Sequence, residues 1–537
     1  MTAKQYKIGI DVGGTNTDVV ILDENNKVLA STKSATTSDV QEGIFNGIQT
    51  VLEQSRVDRS QIAYVSLGTT HATNAIIRRK LLSKVAVVRI CLPAGKGVPP
   101  LMNWQADLVE AMGAEPYMIH GGFEYDGRPL AGKELDRDEC MAVLEKMKAS
   151  GIESIAVCSI FSPVNGKHEQ QFAEYAREVF GEQIAVTVSA EIGSLSLIER
   201  ENSTILNASV VGVALRAANG LTEALARFGI HCKVFFAQND GTLMALDYAI
   251  RYPILTIGSG PTNSLRGAAY LSGLKDCIVA DIGGTSTDVG IMVNGFPRQS
   301  AVAVEVGGVL TNFRMPDLIS IGLGGGSIVT AREDGTIQIG PDSVGYEITK
   351  RALSFGGDTL TATDIAIAAG IATIDSPHCD AARLSHLDPE FVRRAMDEIV
   401  QMVAGACDRI KTSTDPLPVV LVGGGSILMP QRVEGLGEII RPNNFGCANA
   451  IGSATADASG EIDALWGLES MTREEAMKQA REQAIQKAIE MGADPESTEI
   501  VDMELVPLTY LPGNVVRIKV KAAGPLRFGV NEHCVSP

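Results

Sequence analysis

Short apolar runs and stretches with helical spacing alternate along nearly the whole 537-residue chain, the pattern of an α/β protein. Lys7 to Leu22 reads as strands, about Val40 to Glu53 as a helix, and Tyr64 to Ile77 as an apolar strand, a polar turn and a helix. Ser154 to Ile160, a helix near Lys167 to Phe180, and Ile184 to Val188 make a βαβ unit; Glu199 to Leu225 reads as a long helix crossing between the halves. Lys233 to Ala237 is a short strand, and Ile254 opens a strand that leads through a Gly-rich turn into a helix. A helix near Pro389 to Ile410 follows. The capping box Thr472-Arg-Glu-Glu475 opens a polar helix ending near Gly492, and capping box and terminal glycine are the expected punctuation. Ile500 to Ala522 alternates apolar and polar and reads as a strand pair, whereas Cys91 to Leu130, rich in Gly and Pro, reads as a long loop or cap.

Within this alternation one segment occurs twice, as Ile8-Gly-Ile-Asp-Val-Gly-Gly-Thr-Asn-Thr-Asp18 and as Ile278-Val-Ala-Asp-Ile-Gly-Gly-Thr-Ser-Thr-Asp288. Each copy delivers an aspartate (Asp11, Asp281) to the end of an apolar strand, turns through Gly13-Gly14-Thr15-Asn16 or Gly283-Gly284-Thr285-Ser286, and returns as a strand. Glycines let a phosphate approach the backbone, whose N–H groups make an anion-binding concavity. An acid beside such a turn is suited to Mg²⁺ held between carboxylate, water and phosphate oxygens. Asp11 and Asp281 are therefore the expected metal-binding and catalytic residues, and the two turns the expected phosphate contacts. Asp18 and Asp288 are expected to support the turns. The pattern is neither a Rossmann fingerprint nor a P-loop.

Composition narrows the partners. A formal net charge of −18 argues against nucleic acid or an anionic membrane surface. Nine cysteines without a C-x-x-C pair give no zinc or disulfide signature. A polar N-terminus leading straight into a strand predicts a cytoplasmic protein with no membrane partner.

The duplicated turn resembles the phosphate-1 and phosphate-2 hairpins of the actin, Hsp70 and sugar-kinase superfamily. That resemblance implies two actin-like, ribonuclease-H-like α/β lobes with a small C-terminal α+β segment. It also gives Pro418-Val-Val-Leu-Val-Gly-Gly-Gly-Ser426 the place of the adenosine motif, with Gly423, Gly424 and Gly425 at the nucleotide. A narrower resemblance rests on Ser66-Leu-Gly-Thr-Thr-His-Ala-Thr-Asn-Ala75, Glu199-Arg-Glu-Asn-Ser-Thr-Ile-Leu-Asn-Ala208, Gly258-Ser-Gly-Pro-Thr-Asn-Ser264 and Gly322-Leu-Gly-Gly-Gly-Ser327. Together these are similar to the hydantoinase A and 5-oxoprolinase family. The Gly260 to Ser264 turn departs from the family's Gly-Pro-x-x-Ala-Gly-Gly form. The family resemblance implies lobes over residues 1–190 and 191–470, then a helix and strand pair over 471–537. It implies ATP and Mg²⁺, phosphorylation of a cyclic amide's carbonyl oxygen, attack by water, and a hydantoinase B-type partner subunit for the hydrolytic half. Thr69, Thr70, Asn74, His71 and Arg200 are the substrate-side expectations; His71 also reads as a satisfied hydrogen-bonding residue, and Arg200 as a lock for the long helix. Two alternatives remain at this point, a sugar-kinase-type small-molecule kinase and an actin-like ATP switch acting on a partner. Homo-oligomerisation stays open.

Overall fold

The computed structural model describes residues 5–13, 16–35, 40–193, 195–300, 304–313, 315–469, 471–509 and 514–527. Its largest sheet has nine strands. Five of them form one unit: Val28–Ala35, Asn16–Leu22 and Tyr6–Val12 pair antiparallel in turn, then Ile62–Thr69 and Lys233–Ala237 follow in parallel. A second sheet repeats that order with Leu318–Ile321, Thr287–Val293, Cys277–Ile282, Val419–Val422 and Ile439–Ile440. The register repeats as well, Asp11 lying opposite Asp18 and Asp281 opposite Asp288.

Between the fourth and fifth strands of the first unit lies a four-stranded parallel sheet, Glu115–His120, Val85–Leu92, Ser154–Ser159 and Ala185–Val188. Parallel strands are covered on both faces, which explains their unbroken apolar runs. Val85 and Val87 face the core shared with Ile205, Leu206 and Val210 of the long helix Leu197–Arg227, while Ala86, Val88 and Ile90 face Leu144 and Phe172. By length and composition that helix would suit a bilayer, but 61% of its most apolar stretch is buried in the protein. It is a core helix, and its buried face accounts for the hydropathy.

Two expectations change. Cys91 to Leu130 is not one loop: it holds the helix Ala106–Met112 and the edge strand Glu115–His120. Both are short and Gly113, in the left-handed conformation, separates them, so neither shows a period in sequence. Ile254 does not open a strand. Pro253–Thr256 is a 3-10 turn, and the Ile254 N–H donates to Asn207 Oδ1 (3.1 Å) instead of to a ladder.

The C-terminal segment carries the expected helix, Arg473–Glu490, and strands, Glu499–Pro507 and Val515–Gly524. The strands continue the first sheet through Ala458–Gly467. Ala476, Ala480, Ala484 and Ala488 form the helix's buried stripe. At Gly460 the approach is so close that a Cβ would stand 2.3 Å from the Ala488 nitrogen. Small residues thus let helix and sheet meet at backbone distance.

Two helices join the repeated units. Ser259–Ser272 packs Leu265 and Ala268 against Val279 and Val420 of the second sheet. Ala448–Thr455 packs Ala450, Ile451 and Ala454 against Val20 and Leu22 of the first. A Cβ on Gly267 would stand 1.9 Å from the Ala448 oxygen, and one on Gly452 1.9 Å from the Asn263 oxygen. The helices therefore cross with their backbones in contact.

Candidate active site

The fold brings Asp11 and Asp281 to matching places, each at the C-terminal end of the first strand of its unit. Both turns close in the same way, Gly13 N–H donating to the Asn16 oxygen and Gly283 N–H to the Ser286 oxygen, each at 2.9 Å. Gly14 and Thr15 lie outside the described residues. In the second turn Gly284, Thr285 and Ser286 are exposed. That turn is backed by the Gly322 to Ser327 loop: Gly325 and Gly326 N–H groups donate to the Gly283 and Gly284 oxygens (3.0 and 2.8 Å), and Thr287 Oγ1 donates to the Leu323 oxygen (2.6 Å).

Each aspartate needs a glycine beside it. A Cβ on Gly68 would stand 2.3 Å from Asp11 Oδ1, and one on Gly423 2.3 Å from Asp281 Oδ1. Gly423 also has φ +81°, a left-handed value that suits glycine. A Cβ on Gly425 would meet the Gly283 oxygen at 2.6 Å, whereas Gly424 has open space around it. Of the three glycines expected at the nucleotide, two are thus required by the second hairpin and one faces outward.

The carboxylates are joined across the lobe interface. Asn263 Nδ2 donates to Asp11 Oδ1 (3.2 Å) and Asn449 Nδ2 to Asp11 Oδ2 (3.3 Å). Ser264 Oγ lies in hydrogen-bond contact with both Asp281 Oδ2 and Asn449 Oδ1. Burial pushes Asp11 up against the opposing pull of those two amides. Burial also pushes Asp281 up to about 6, opposed by Ser264, and Asp18 up to about 6, opposed by Lys33. Asp288 is raised by burial and eased by Ser320. A cation would relieve this crowding. Among the described residues no three His, Cys, Asp or Glu side chains converge as a complete metal cage. Two carboxylates are what Mg²⁺ ordinarily takes from a protein, with water and phosphate completing the shell.

Thr69, Thr70, His71 and Asn74 also come together here, at the end of the strand beside Asp11 and the start of helix His71–Arg78. Thr70 Oγ1 donates to the Val12 oxygen (3.2 Å), Asn74 Nδ2 donates to Thr70 Oγ1 (3.1 Å), and His71 Nδ1 contacts Thr69 Oγ1. Burial lowers the His71 pKa, which favours the neutral imidazole. Arg200 is placed elsewhere. It is 2% exposed, with Nε donating to Ser189 Oγ (2.9 Å) and a terminal nitrogen to the Ser159 oxygen (2.7 Å). It ties the long helix to the four-stranded sheet.

Asn263, Ser264, Asn449, Lys33 and Gly68 were not among the expected site residues. The departure of Gly260 to Ser264 from the family pattern was one available signal: the segment is not a turn but the first part of the helix Ser259–Ser272, from which Asn263 reaches Asp11 and Ser264 reaches Asp281. Asn449 gave none, because its role depends on a helix crossing.

The duplicated unit order, with its hairpins facing across joined lobes, places the chain in the actin-like α/β class. Comparison with known proteins narrows this. Residues 7–180 match the hydantoinase/oxoprolinase N-terminal region, and residues 200–412 match the hydantoinase/oxoprolinase family proper. The chain belongs to the hydantoinase/oxoprolinase family. It is 24% identical over 403 residues to the caprolactamase subunit alpha of Pseudomonas jessenii, covering 69% of this chain and 55% of that one. It is 25% identical over 395 residues to the acetophenone carboxylase gamma subunit of Aromatoleum aromaticum, covering 69% and 54%. The chain thus spans about half the length of these curated relatives. The crystal structure of ATP-dependent caprolactamase from Pseudomonas jessenii shares the fold, with TM-score 0.75 and 18% identity over 97% of this chain and 88% of that one.

Proposed function

We propose that this chain is an ATP-dependent enzyme, or the ATP-using subunit of one, that opens a cyclic amide by phosphorylating its carbonyl oxygen. The observation that carries the reading is the pair Asp11 and Asp281, set at the same register of two hairpins and linked across the lobe interface. ATP would supply the phosphoryl group and Mg²⁺ the charge neutralisation that its transfer requires. Asp11 and Asp281 would hold the metal, the two Gly-Gly turns the phosphates, and the exposed Gly424 the nucleoside side. His71 would face the ring: its Nδ1 is engaged by Thr69, which leaves Nε2 for the substrate's carbonyl or N–H. An amide carbonyl is a poor electrophile, and a phosphorylated oxygen can leave as phosphate. One water then adds to the carbon and the C–N bond breaks, the nitrogen taking the proton, which leaves an acyl phosphate; a second water releases the phosphate, and the ring-opened acid, ADP and phosphate are the products.

The relatives named as subunits support a partner for the hydrolytic half. The carboxylase relative favours a second reading, in which the same transfer activates a ketone. Phosphate release from Mg·ATP, measured with hydantoins, 5-oxoproline, simple lactams and aryl or alkyl ketones, tests both. Stimulation by a lactam with ring opening supports the first, and stimulation by ketones alone replaces it. A stable phosphate ester as product would refute carbonyl activation.

A further inference from the structure

We propose that Ser264, acting through Asn449, is a positioning residue that couples the two metal-binding carboxylates. This rests on the assignment of Asp11 and Asp281 to the metal. Ser264 sits on the helix packed against the second sheet, Asn449 on the helix packed against the first. Their contact is therefore where the polar chain from Asp281 to Asp11 crosses between lobes. The two helices meet at backbone distance at that point, where Gly267 and Gly452 leave no room for a Cβ between them. Ser264 is fully buried, so water does not substitute for the hydroxyl.

The hydroxyl has one hydrogen and two acceptors, Asp281 Oδ2 and Asn449 Oδ1, and it serves one of them at a time. A cation on Asp281 makes that carboxylate the weaker acceptor. The hydrogen then goes to Asn449, fixing the amide whose Nδ2 donates to Asp11 Oδ2. Metal capture in one lobe thereby orients the carboxylate of the other. Asn263 holds the remaining Asp11 oxygen from the same helix as Ser264, so the Asp11 side chain has a single orientation available.

Mn²⁺ binding to the full chain with a non-hydrolysable ATP analogue, followed by electron paramagnetic resonance, tests this without turnover. Ser264→Ala and Asn449→Ala should each raise the half-saturating Mn²⁺ about tenfold or more, the cost typical of losing a group that orients a metal ligand. Because both act through one chain, the double variant should be no worse than the poorer single one within about threefold, a non-additivity expected of coupled residues. Ser264→Cys, close to serine in volume, replaces the alanine variant if the latter does not fold. Unchanged Mn²⁺ affinity in Ser264→Ala, additive losses in the double variant, or no Mn²⁺ binding by the unaltered chain would each overturn the assignment. If the unaltered chain binds Mn²⁺ but no lactam or ketone stimulates phosphate release, the proposed reaction fails while the role of Ser264 stands.

Discussion

The two hairpins share a backbone and differ in what surrounds it. Across the first sheet one row reads Gly68, Asp11, Asp18, Lys33; across the second the matching row reads Val422, Asp281, Asp288, Ser320. The pair of aspartates is kept in both. The first row ends on a cation, with Lys33 Nζ donating to Asp18 Oδ2 at 2.9 Å and to the Gly446 oxygen at 3.1 Å, while the second ends on a hydroxyl in contact with Asp288. The first aspartate is held by two amides and the second by one hydroxyl. Duplication therefore preserved the groups suited to a metal, and the neighbours that tune them diverged. Amide hydrogens can only donate, whereas a hydroxyl can also accept, so Asp11 is the more firmly specified of the two.

The largest test of that difference uses the flanking glycines. Gly423→Ala places a Cβ 2.4 Å from the Ile282 oxygen as well as against Asp281, at φ +81°. Gly68→Ala meets only side-chain atoms, of Asp11 and Asn263. Gly423→Ala should cost upwards of about 3 kcal/mol, combining backbone strain with overpacking, and Gly68→Ala about 1–3 kcal/mol. Denaturant unfolding of both variants measures the gap, and equal costs would mean that the second hairpin yields as easily as the first. Gly284→Val, with open space around the glycine, should leave stability unchanged and abolish ATP binding in calorimetry.

A second test uses charge. In the metal-free chain burial holds Asp281 at about 6, above the ordinary value near 4. The folded state thus keeps a proton that the unfolded state has released. This contribution to stability is complete below about pH 4 and is lost as pH rises through about 6. Asp281→Asn removes the buried charge, so at pH 7.5 it should melt higher than the unaltered chain by up to the order of 2–3 kcal/mol, with the difference gone near pH 4. Asp11→Asn should gain less, because an asparagine there turns a donor toward the amide of Asn263 or Asn449. Thermal melts in chelator at both pH values decide it. Both variants should lose Mg·ATP turnover.

Local chemistry was readable in the sequence where the signal was local. The hairpins, the capping box at Thr472 and the helix Pro389–Ile410 follow from neighbouring residues and stand as expected. Features set by distant packing were not. Ile254 left its strand pattern because Asn207 offered an acceptor from the long helix, and the strand Glu115–His120 is defined by the partner it pairs with. The Gly423 to Gly425 run was legible as a glycine turn, but its assignment to nucleotide missed that Gly423 makes room for Asp281 and Gly425 for Gly283. Asn449 joins the site only because two helices cross at backbone distance, which no local pattern encodes.

The smallest effects separate the ends of the two rows. Lys33 is 41% exposed in its side chain while Asp18 is 7% exposed, so solvent and salt reach the cation's end of the pair and hold its contribution to the order of 1 kcal/mol. Lys33→Met should therefore lower stability slightly and ATP affinity several-fold, with both losses shrinking as salt is raised from about 0.05 to 0.5 M, where the screening length falls well below 10 Å. Ser320→Ala removes one hydrogen bond to a carboxylate, worth on the order of 1 kcal/mol, and its effect should not respond to salt in this way. ATP titrations of both variants at the two salt concentrations make the comparison. A salt response confined to Lys33→Met would show that the first hairpin offsets phosphate charge with its own cation while the second relies on the metal. Equal responses would mean that Lys33 serves Asp18 and the Gly446 oxygen alone, and that the rows differ in structure without differing in their work on phosphate.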